Sequence, residues 1–341
     1  MENYILKNEN AIYYECSYSC DNVLYLKLGS EAFFITDSRY MQEAQNAVVN
    51  ASVIQSANLI EEALLIIKKS NIKSLIYDGN DFTYSLFAKL KQALDIELIN
   101  KEKFSQLKRM IKSDDEITIL HKAAKLGRKG FNRFGKYLQD KGFEQSEKLL
   151  NFKAYEKMTQ KGQLEVSFDP IVAINENAAN PHAKPTDNIL RKNDLILVDM
   201  GIKYKRYCSD RTSTSYVDFD TFSFGREQKF SKKKHQKIYD IVLKAQENAI
   251  SKAKVGMKAS EIDNLTRSII EKAGYGKYFI HSTGHGVGLD IHEYPFINAK
   301  SEIIIEENMV FTIEPGIYLP NEFGVRIEDT VAIINSKAHI L

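Results

Sequence analysis

Four carboxylates in the second half of the chain follow apolar or strand-like runs, and this feature limits the possible fold more than any other. "LILVD" ends in Asp199, "VFTIE" in Glu314 and "VRIE" in Glu328, while "YCSD" ends in Asp210. Burying a carboxylate is costly unless a cation or hydrogen bonds compensate its charge. One such residue alone would be interpreted as a strand-end carboxylate that faces water. Four in one domain, near a histidine among glycines, predict a fold that gathers them around a shared cation.

The histidine segment is "HSTGHGVGLDIHEYP", which holds three of the seven histidines of the chain, His281, His285 and His292. Its three glycines disfavour a helix, which argues against the helical H-E-x-x-H zinc motif. We expect a tightly bent glycine-rich loop that brings His285 to a metal and His292 into the same cavity as a donor. His281 has either a structural or a catalytic role.

The predicted ligand set limits the metal. Four carboxylates and one imidazole, with no thiolate in a suitable pattern, favour Mn²⁺, Co²⁺, Fe²⁺ or Zn²⁺ in an oxygen-rich site. Because carboxylates can bridge, five ligands suit two ions about 3.5 Å apart, which share a water or hydroxide and stabilise an oxyanion. Such a site is typical of hydrolytic enzymes.

The pattern along the 341 residues predicts two domains. Residues up to about 107 alternate strand-like and helix-like runs, which is typical of a small α/β domain. A long helix then begins after Ser113, which forms a capping box with Glu116. From about residue 165, strand runs typical of β-hairpins surround helical stretches near 234–254 and 259–273.

The composition excludes some classes of partner. With 47 basic and 45 acidic residues, the net charge of +2 gives no reason to expect nucleic acid or an anionic membrane. Only three cysteines are present, and "MENYILKNENAIYYE" carries charges where a signal peptide has an apolar core. We therefore expect a cytoplasmic protein. The polar segment 218–237 is expected to be a solvated loop and helix start, and no function is assigned to it.

The order Asp199, Asp210, His285, Glu314, Glu328 resembles the ligand series of the pita-bread metallopeptidases, the family of methionine aminopeptidase, aminopeptidase P and prolidase. "FFITDSRYMQEA" is similar to the creatinase-like N-terminal domain of this family, and "SFDPIVAINENAANPHAKPT" to the start of its catalytic domain. The resemblance implies an α/β creatinase-like domain over residues 1–112. It also implies an α+β pita-bread catalytic domain over residues 113–341.

The resemblance implies a role for each ligand position. Asp210 and Glu328 would bridge two metal ions, manganese first and cobalt, zinc or iron as alternatives. Asp199 would bind one ion, and His285 and Glu314 the other. Glu314 would also accept the proton of the water that bridges the two ions, which leaves a hydroxide there.

The resemblance also implies roles for two further histidines and an oligomeric state. His182, in "NPHAKP", would lie near the substrate amide, and His292 would stabilise the tetrahedral gem-diolate. A homodimer is implied as well.

Arg326 indicates the branch of the family. It lies two residues before Glu328, so the two side chains should point the same way and the guanidinium should face the metal cavity. "GVRIED" and the N-terminal domain resemble the Xaa-Pro peptidases, so the expected substrates are proline-containing peptides or Xaa-Pro dipeptides. The alternatives are a methionine aminopeptidase and a non-catalytic pita-bread binding protein.

Three residues depart from the family pattern. Asn175 and Arg206 stand where glycine is usual, and Ser213 stands where arginine is common. Asparagine tolerates a positive φ better than most residues, so Asn175 can replace a glycine there. Cys208 lies beside Asp210 in sequence, and packing explains it better than reactivity because no base is visible for it.

Overall fold

The computed structural model describes residues 2–218 and 222–341. The chain divides into two compact units, Met1–Arg109 and Met110–Leu341. Residues 219–221, part of the polar segment without an assigned function, lie outside the described residues. No helix in the described part of the chain combines the length and apolar character needed to cross a membrane.

The first unit is built on one mixed sheet. Its strands are β1 (Tyr4–Leu6), β2 (Val23–Leu28), β3 (Glu31–Thr36), β4 (Ser52–Gln55), β5 (Ser74–Tyr77) and β6 (Glu97–Asn100). Its helices are α1 (Glu9–Cys16), α2 (Met41–Ala47), α3 (Leu59–Lys69), α4 (Tyr84–Ala93) and α5 (Phe104–Lys108). The strand order is β4-β3-β2-β1-β5-β6. Because side chains alternate along a strand, Leu24 and Leu26 enter one apolar cluster while Val23 and Tyr25 enter another.

In its described residues, the second unit has four long helices and several small sheets. The helices are α6 (Asp114–Lys141), α7 (Glu147–Met158), α8 (Lys233–Lys252) and α9 (Ala259–Lys272). The first strands are β7 (Glu165–Val166), β8 (Ile171–Ile174), β9 (Leu195–Asp199), β10 (Ile202–Tyr204), β11 (Tyr207–Cys208) and β12 (Thr212–Tyr216). The later strands are β13 (Gly284–Gly286), β14 (Glu293–Ile297), β15 (Val310–Ile313), β16 (Gly316–Leu319), β17 (Phe323–Arg326), β18 (Asp329–Ile334) and β19 (Lys337–Ile340).

Helix α6 begins as the sequence predicts. Glu116 N donates to Ser113 Oγ over 3.2 Å, and Ser113 N donates to Glu116 Oε2 over 2.8 Å. The predicted capping box is therefore confirmed, and the two predicted later helices correspond to α8 and α9.

Strand β9 lies between helices on both of its faces. Val198 packs in an apolar cluster with Phe131 of α6, while Leu197 packs in another cluster with Ile238 of α8. The continuous apolar run "LILV" is explained by this double burial, which ends at the carboxylate of Asp199.

The strands after residue 309 belong to two separate sheets, the larger of which also includes β13 and β14. The larger sheet has the order β14-β13-β15-β18-β19, and the smaller sheet pairs β16 with β17. The chain passes from the larger to the smaller sheet at Glu314 and Pro315, and returns at Ile327 and Glu328. The two glutamates therefore occupy the two links between these sheets.

Candidate metal centre and active site

All the residues predicted for the site line one cavity of about 420 Å³, namely His182, Asp199, Asp210, His285, His292, Glu314, Arg326 and Glu328. The positions predicted as metal ligands are buried or nearly so, whereas His182 and His292 are exposed. The structure therefore separates a buried acidic floor from two accessible histidines.

Strand ends place the acidic residues. Asp199 ends β9 and stands opposite Thr212, the first residue of β12. Asp210 lies just before that strand. Glu328 N donates to Thr212 O over 3.1 Å, and Glu314 N donates to Thr283 O over 2.8 Å. Hydrogen bonds of the main chain thus fix the position of these acidic residues at the strand ends.

The ligand atoms of Asp210, His285 and Glu328 all lie within 4.8 Å of one another. His285 Nε2 also lies 3.3 Å from Glu314 Oε1 and 3.6 Å from Asp210 Oδ2. These separations suit a set of donors that converge on cations.

The carboxylates raise one another's pKa. Burial raises the pKa of Asp210 and Glu328 well above their ordinary values, and repulsion from the neighbouring carboxylates adds to this effect. Burial also raises the pKa of Glu314 to about 7 and lowers the pKa of His285 to about 3. Keeping these carboxylates ionised together therefore requires added positive charge.

Arg326 supplies part of that charge. Its Nη2 donates to Asp199 Oδ2 over 2.6 Å, and its Nε donates to Thr212 Oγ1 over 3.0 Å. Its Nη1 donates to Pro181 O and to Tyr318 Oη, both over 3.0 Å. The guanidinium does lie at the cavity. Its contacts indicate that Arg326 positions Asp199 and the segment that carries His182.

The second oxygen of Asp199 tests whether a metal fits. Asp199 Oδ1 is buried and accepts no hydrogen bond within the described residues. An orphaned carboxylate oxygen beside Asp210, Glu314 and Glu328 is costly unless a cation takes it as a ligand. The donor set, oxygen with one imidazole nitrogen, therefore fits divalent metal ions.

Threonines that the sequence analysis missed orient the carboxylates. Thr212 Oγ1 donates to Glu328 Oε2 over 2.7 Å, and Thr312 Oγ1 donates to Glu314 Oε1 over 3.1 Å. Each lies two residues from a predicted ligand, Thr212 after Asp210 and Thr312 before Glu314. The alternation of side chains along a strand was the available signal.

The glycines around His285 do not form the bent loop that was expected. Gly284–Gly286 is strand β13, and neither glycine has a positive φ. A Cβ on Gly284 would lie 1.9 Å from Thr312 O, and one on Gly286 would lie 2.2 Å from Tyr294 O. The glycines at 284 and 286 are needed because neighbouring backbone packs against them, so the prediction of a loop was wrong at His285, whereas Gly288 does lie in a bent segment before His292.

His281 lies in a hydrogen-bonded series behind the ligands. Its Nε2 lies 2.9 Å from Tyr318 Oη, which in turn accepts from Arg326. Burial lowers the pKa of His281 to about 4. These contacts favour the structural role over the catalytic one, and Tyr318 is a further residue that the sequence analysis missed.

The departures from the family pattern have structural explanations. Asn175 has φ +48° and Arg206 has φ +68°, so both occupy the left-handed region that favours glycine. Ser213 is buried, and its hydroxyl donates to Phe224 O over 3.4 Å. Burial raises the pKa of Cys208 to about 12, which agrees with the expected packing role.

Comparison with known proteins gives consistent results. The chain is 36% identical over 307 residues to the uncharacterized peptidase YqhT of Bacillus subtilis, covering 89% of this chain and 83% of that protein. An Xaa-Pro dipeptidase from Bacillus anthracis superposes with a TM-score of 0.90 at 33% identity, covering 99% of this chain and 92% of that one. An X-Pro aminopeptidase from Thermotoga maritima superposes with a TM-score of 0.86 at 29% identity, covering 100% and 95%.

The family model for metallopeptidase family M24 matches residues 118–335, which include every predicted ligand. The mixed α/β architecture and the buried acidic cavity agree with this match. The chain therefore belongs to metallopeptidase family M24.

Proposed function

We propose that this chain hydrolyses the Xaa-Pro bond at the N-terminus of peptides or in Xaa-Pro dipeptides. The observation that carries this proposal is the convergence of the five ligand positions with His182 and His292 in one cavity. Two proteins that this chain resembles are named as an Xaa-Pro dipeptidase and an X-Pro aminopeptidase. The family depends on two metal ions, and manganese suits the oxygen-rich donors of this chain.

Asp199, Asp210, His285, Glu314 and Glu328 would hold the two ions. When bound, two divalent ions activate a water molecule and stabilise negative charge on the substrate carbonyl oxygen. Glu314 accepts the proton of the attacking water, a role suited to a carboxylate whose pKa burial raises to about 7.

The accessible histidines act on the substrate. His292 donates a hydrogen bond to the oxygen that becomes negative in the transition state, and His182 contacts the scissile amide. Arg326 holds Asp199 through the 2.6 Å hydrogen bond and also fixes Pro181, the residue before His182. Its role is therefore to position groups that touch the substrate.

The apolar wall of the cavity supports a substrate with proline after the cleaved bond. Phe168, Ile291 and Phe296 line the same space as the ligands. Proline has no N–H in this bond and a fixed φ, so an apolar pocket shaped for its ring can reject open-chain residues by shape.

A metal-controlled specificity assay tests the proposal. The protein is stripped by chelation, reloaded with Mn²⁺, Co²⁺, Zn²⁺ or Fe²⁺, and given matched Xaa-Pro and Xaa-Ala dipeptides and longer peptides. We expect strong preference for Xaa-Pro, with manganese the most effective metal. Glu302→Gln, at an exposed carboxylate paired with Lys258, serves as the unaffected control.

Two results would overturn the proposal. Efficient release of N-terminal methionine from peptides without proline would favour the methionine aminopeptidase branch. A metal-loaded protein that binds peptides but cleaves none would favour the binding-protein alternative.

Homodimerisation and a cytoplasmic location are proposed with this function, and light scattering of the metal-loaded protein tests the dimer.

A further inference from the structure

A buried ion pair lies beside the catalytic histidine segment. Lys112 Nζ donates to Glu293 Oε1 over 2.7 Å, and the two side chains are 1% and 0% exposed. Lys112 Nζ also donates to Met110 O over 3.4 Å. Desolvating two charges offsets much of their attraction, so such a pair is weak evidence for stability and calls for another explanation.

The Glu293 carboxylate holds the turn that precedes it. Its Oε2 accepts from Asp290 N over 3.3 Å. A Cβ on Gly288 would lie 2.3 Å from Glu293 Oε1, so this turn packs directly on the carboxylate. The path of the chain between His285 and His292 is therefore shaped around Glu293.

The main chain fixes Lys112 at the other end. Lys112 N donates to Asn308 O over 3.0 Å, and Ile111 pairs with Met309 next to β15. Strand β15 in turn pairs with β13, which carries His285. The ion pair thus connects this anchored segment to the turn that ends in His292.

His292 depends on this backbone for its orientation. Its ring centroid lies 4.2 Å from that of His285, and no hydrogen bond to its ring is found within the described residues. His292 lines the cavity, whereas the next residue, Glu293, begins strand β14 and buries its carboxylate against Lys112, so a shift of this short stretch of backbone moves both side chains. We infer that Lys112 and Glu293 are positioning residues for His292, an inference that rests on the proposed function.

The test compares Lys112→Met in two backgrounds of the metal-loaded enzyme. In the wild-type background we expect kcat on an Xaa-Pro peptide to fall roughly ten- to hundredfold, with KM and metal content nearly unchanged. In the His292→Ala background the same substitution should cause no further loss, because the effect acts through His292. The inference would be overturned if Lys112→Met lowered kcat by the same factor in the His292→Ala background as in the wild type. An unchanged kcat in the folded single variant would also overturn it.

A second measurement does not depend on activity, so it separates this inference from the proposed function. The His292 ring resonances, assigned by their disappearance in His292→Ala, should shift in Lys112→Met. They should stay in place in Lys258→Met, which removes an exposed ion pair with Glu302. If Lys112→Met does not fold, Glu293→Gln takes its place, because glutamine preserves the shape of the side chain. Unmoved His292 resonances in that variant would also refute the inference.

Discussion

Glu147 Oε2 accepts hydrogen bonds from both Thr186 N, over 2.7 Å, and Thr186 Oγ1, over 2.6 Å. The same carboxylate accepts from Ile174 N over 2.6 Å and from Asn177 Nδ2 over 2.7 Å, and its residue is 0% exposed. Four neutral donors on both sides of His182 in sequence therefore meet one buried acceptor.

Glu147→Gln should lower the free energy of unfolding by about 1–3 kcal/mol, because the amide group turns a donor toward at least one buried donor. Urea unfolding measures this change. Glu176→Gln is the matched control, since Glu176 is exposed in the same segment and should change stability by less than about 0.5 kcal/mol. Equal effects of the two substitutions would contradict the importance of the buried contacts.

Glu314→Gln or Asp210→Asn should abolish peptide hydrolysis while the fold is kept. Each removes a carboxylate proposed to bind metal and, for Glu314, to accept the proton of the attacking water. Circular dichroism and metal analysis are done on the same samples as the activity assay. Turnover near the wild-type rate in a folded, metal-saturated variant would show that the ligand assignment is wrong.

His292→Ala should reduce kcat by about 10²–10³ with normal metal content, because its hydrogen bond is proposed to form only in the transition state. The exposed His292 ring lies against the ring of the buried His285, so the assay must show which of the two binds metal. Metal content answers this, because only the loss of a ligand should lower it. Loss of metal from the His292 variant would instead make it a ligand.

His182 could be assigned only through the family resemblance, because nothing in "NPHAKP" marks it as a site residue. The four carboxylates and His285 could be found from the sequence itself, because the carboxylates follow strand-like runs and His285 lies among glycines. Their partners left no such local signal. Lys112 and Glu293 are 181 positions apart, and Tyr318 lies in a run that is typical of any buried strand.

The fold shows the same division. The capping box of Ser113 and Glu116 is local and was predicted correctly, since both partners lie within four residues. The assignment of β15 and β16 to different sheets could not be predicted, because the Pro-Gly pair in "VFTIEPGIYL" indicates a break between two strands but not which sheet each strand joins. The close packing of Gly284 against Thr312 O was also hidden, because it depends on a strand 28 positions away in the sequence.

Arg326→Ala should lower kcat/KM on Xaa-Pro peptides by about 10²-fold without emptying the metal site, because it displaces Asp199 and the Pro181 carbonyl together. Arg326→Lys should recover only part of this loss, since an ammonium group cannot make all the hydrogen bonds of the guanidinium. Metal analysis accompanies the kinetics. A metal-free Arg326→Ala protein would mean that the arginine is required to build the ligand set.

His235 should make stability depend on pH. Burial against Phe323, together with the charges of Lys232 and Lys234, lowers the pKa of His235 to about 4 despite the opposing effects of Asp194 and Glu322. Between the ordinary histidine pKa of about 6.5 and pH 4, the unfolded chain binds more protons than the native one, so stability falls as pH falls.

The variant His235→Gln cannot titrate at this position. Between pH 7 and pH 5 its free energy of unfolding should fall by about 1–2 kcal/mol less than that of the wild type. Urea unfolding at the two pH values, at equal metal content, gives the comparison. Parallel losses in the two proteins would assign the pH dependence to other groups.

The positions of Glu314 and Glu328 in the two links between sheets make the proposed active site sensitive to how those sheets pack. A small slide of β16 and β17 against β15 and β18 would move both carboxylates relative to Asp210 and His285. Core side chains on the larger sheet, such as Phe311 and Val331, therefore help to set the geometry of the proposed active site, although neither lines the cavity. The packing of the interior and the placement of the two proposed ligands therefore depend on the same strands in this part of the molecule.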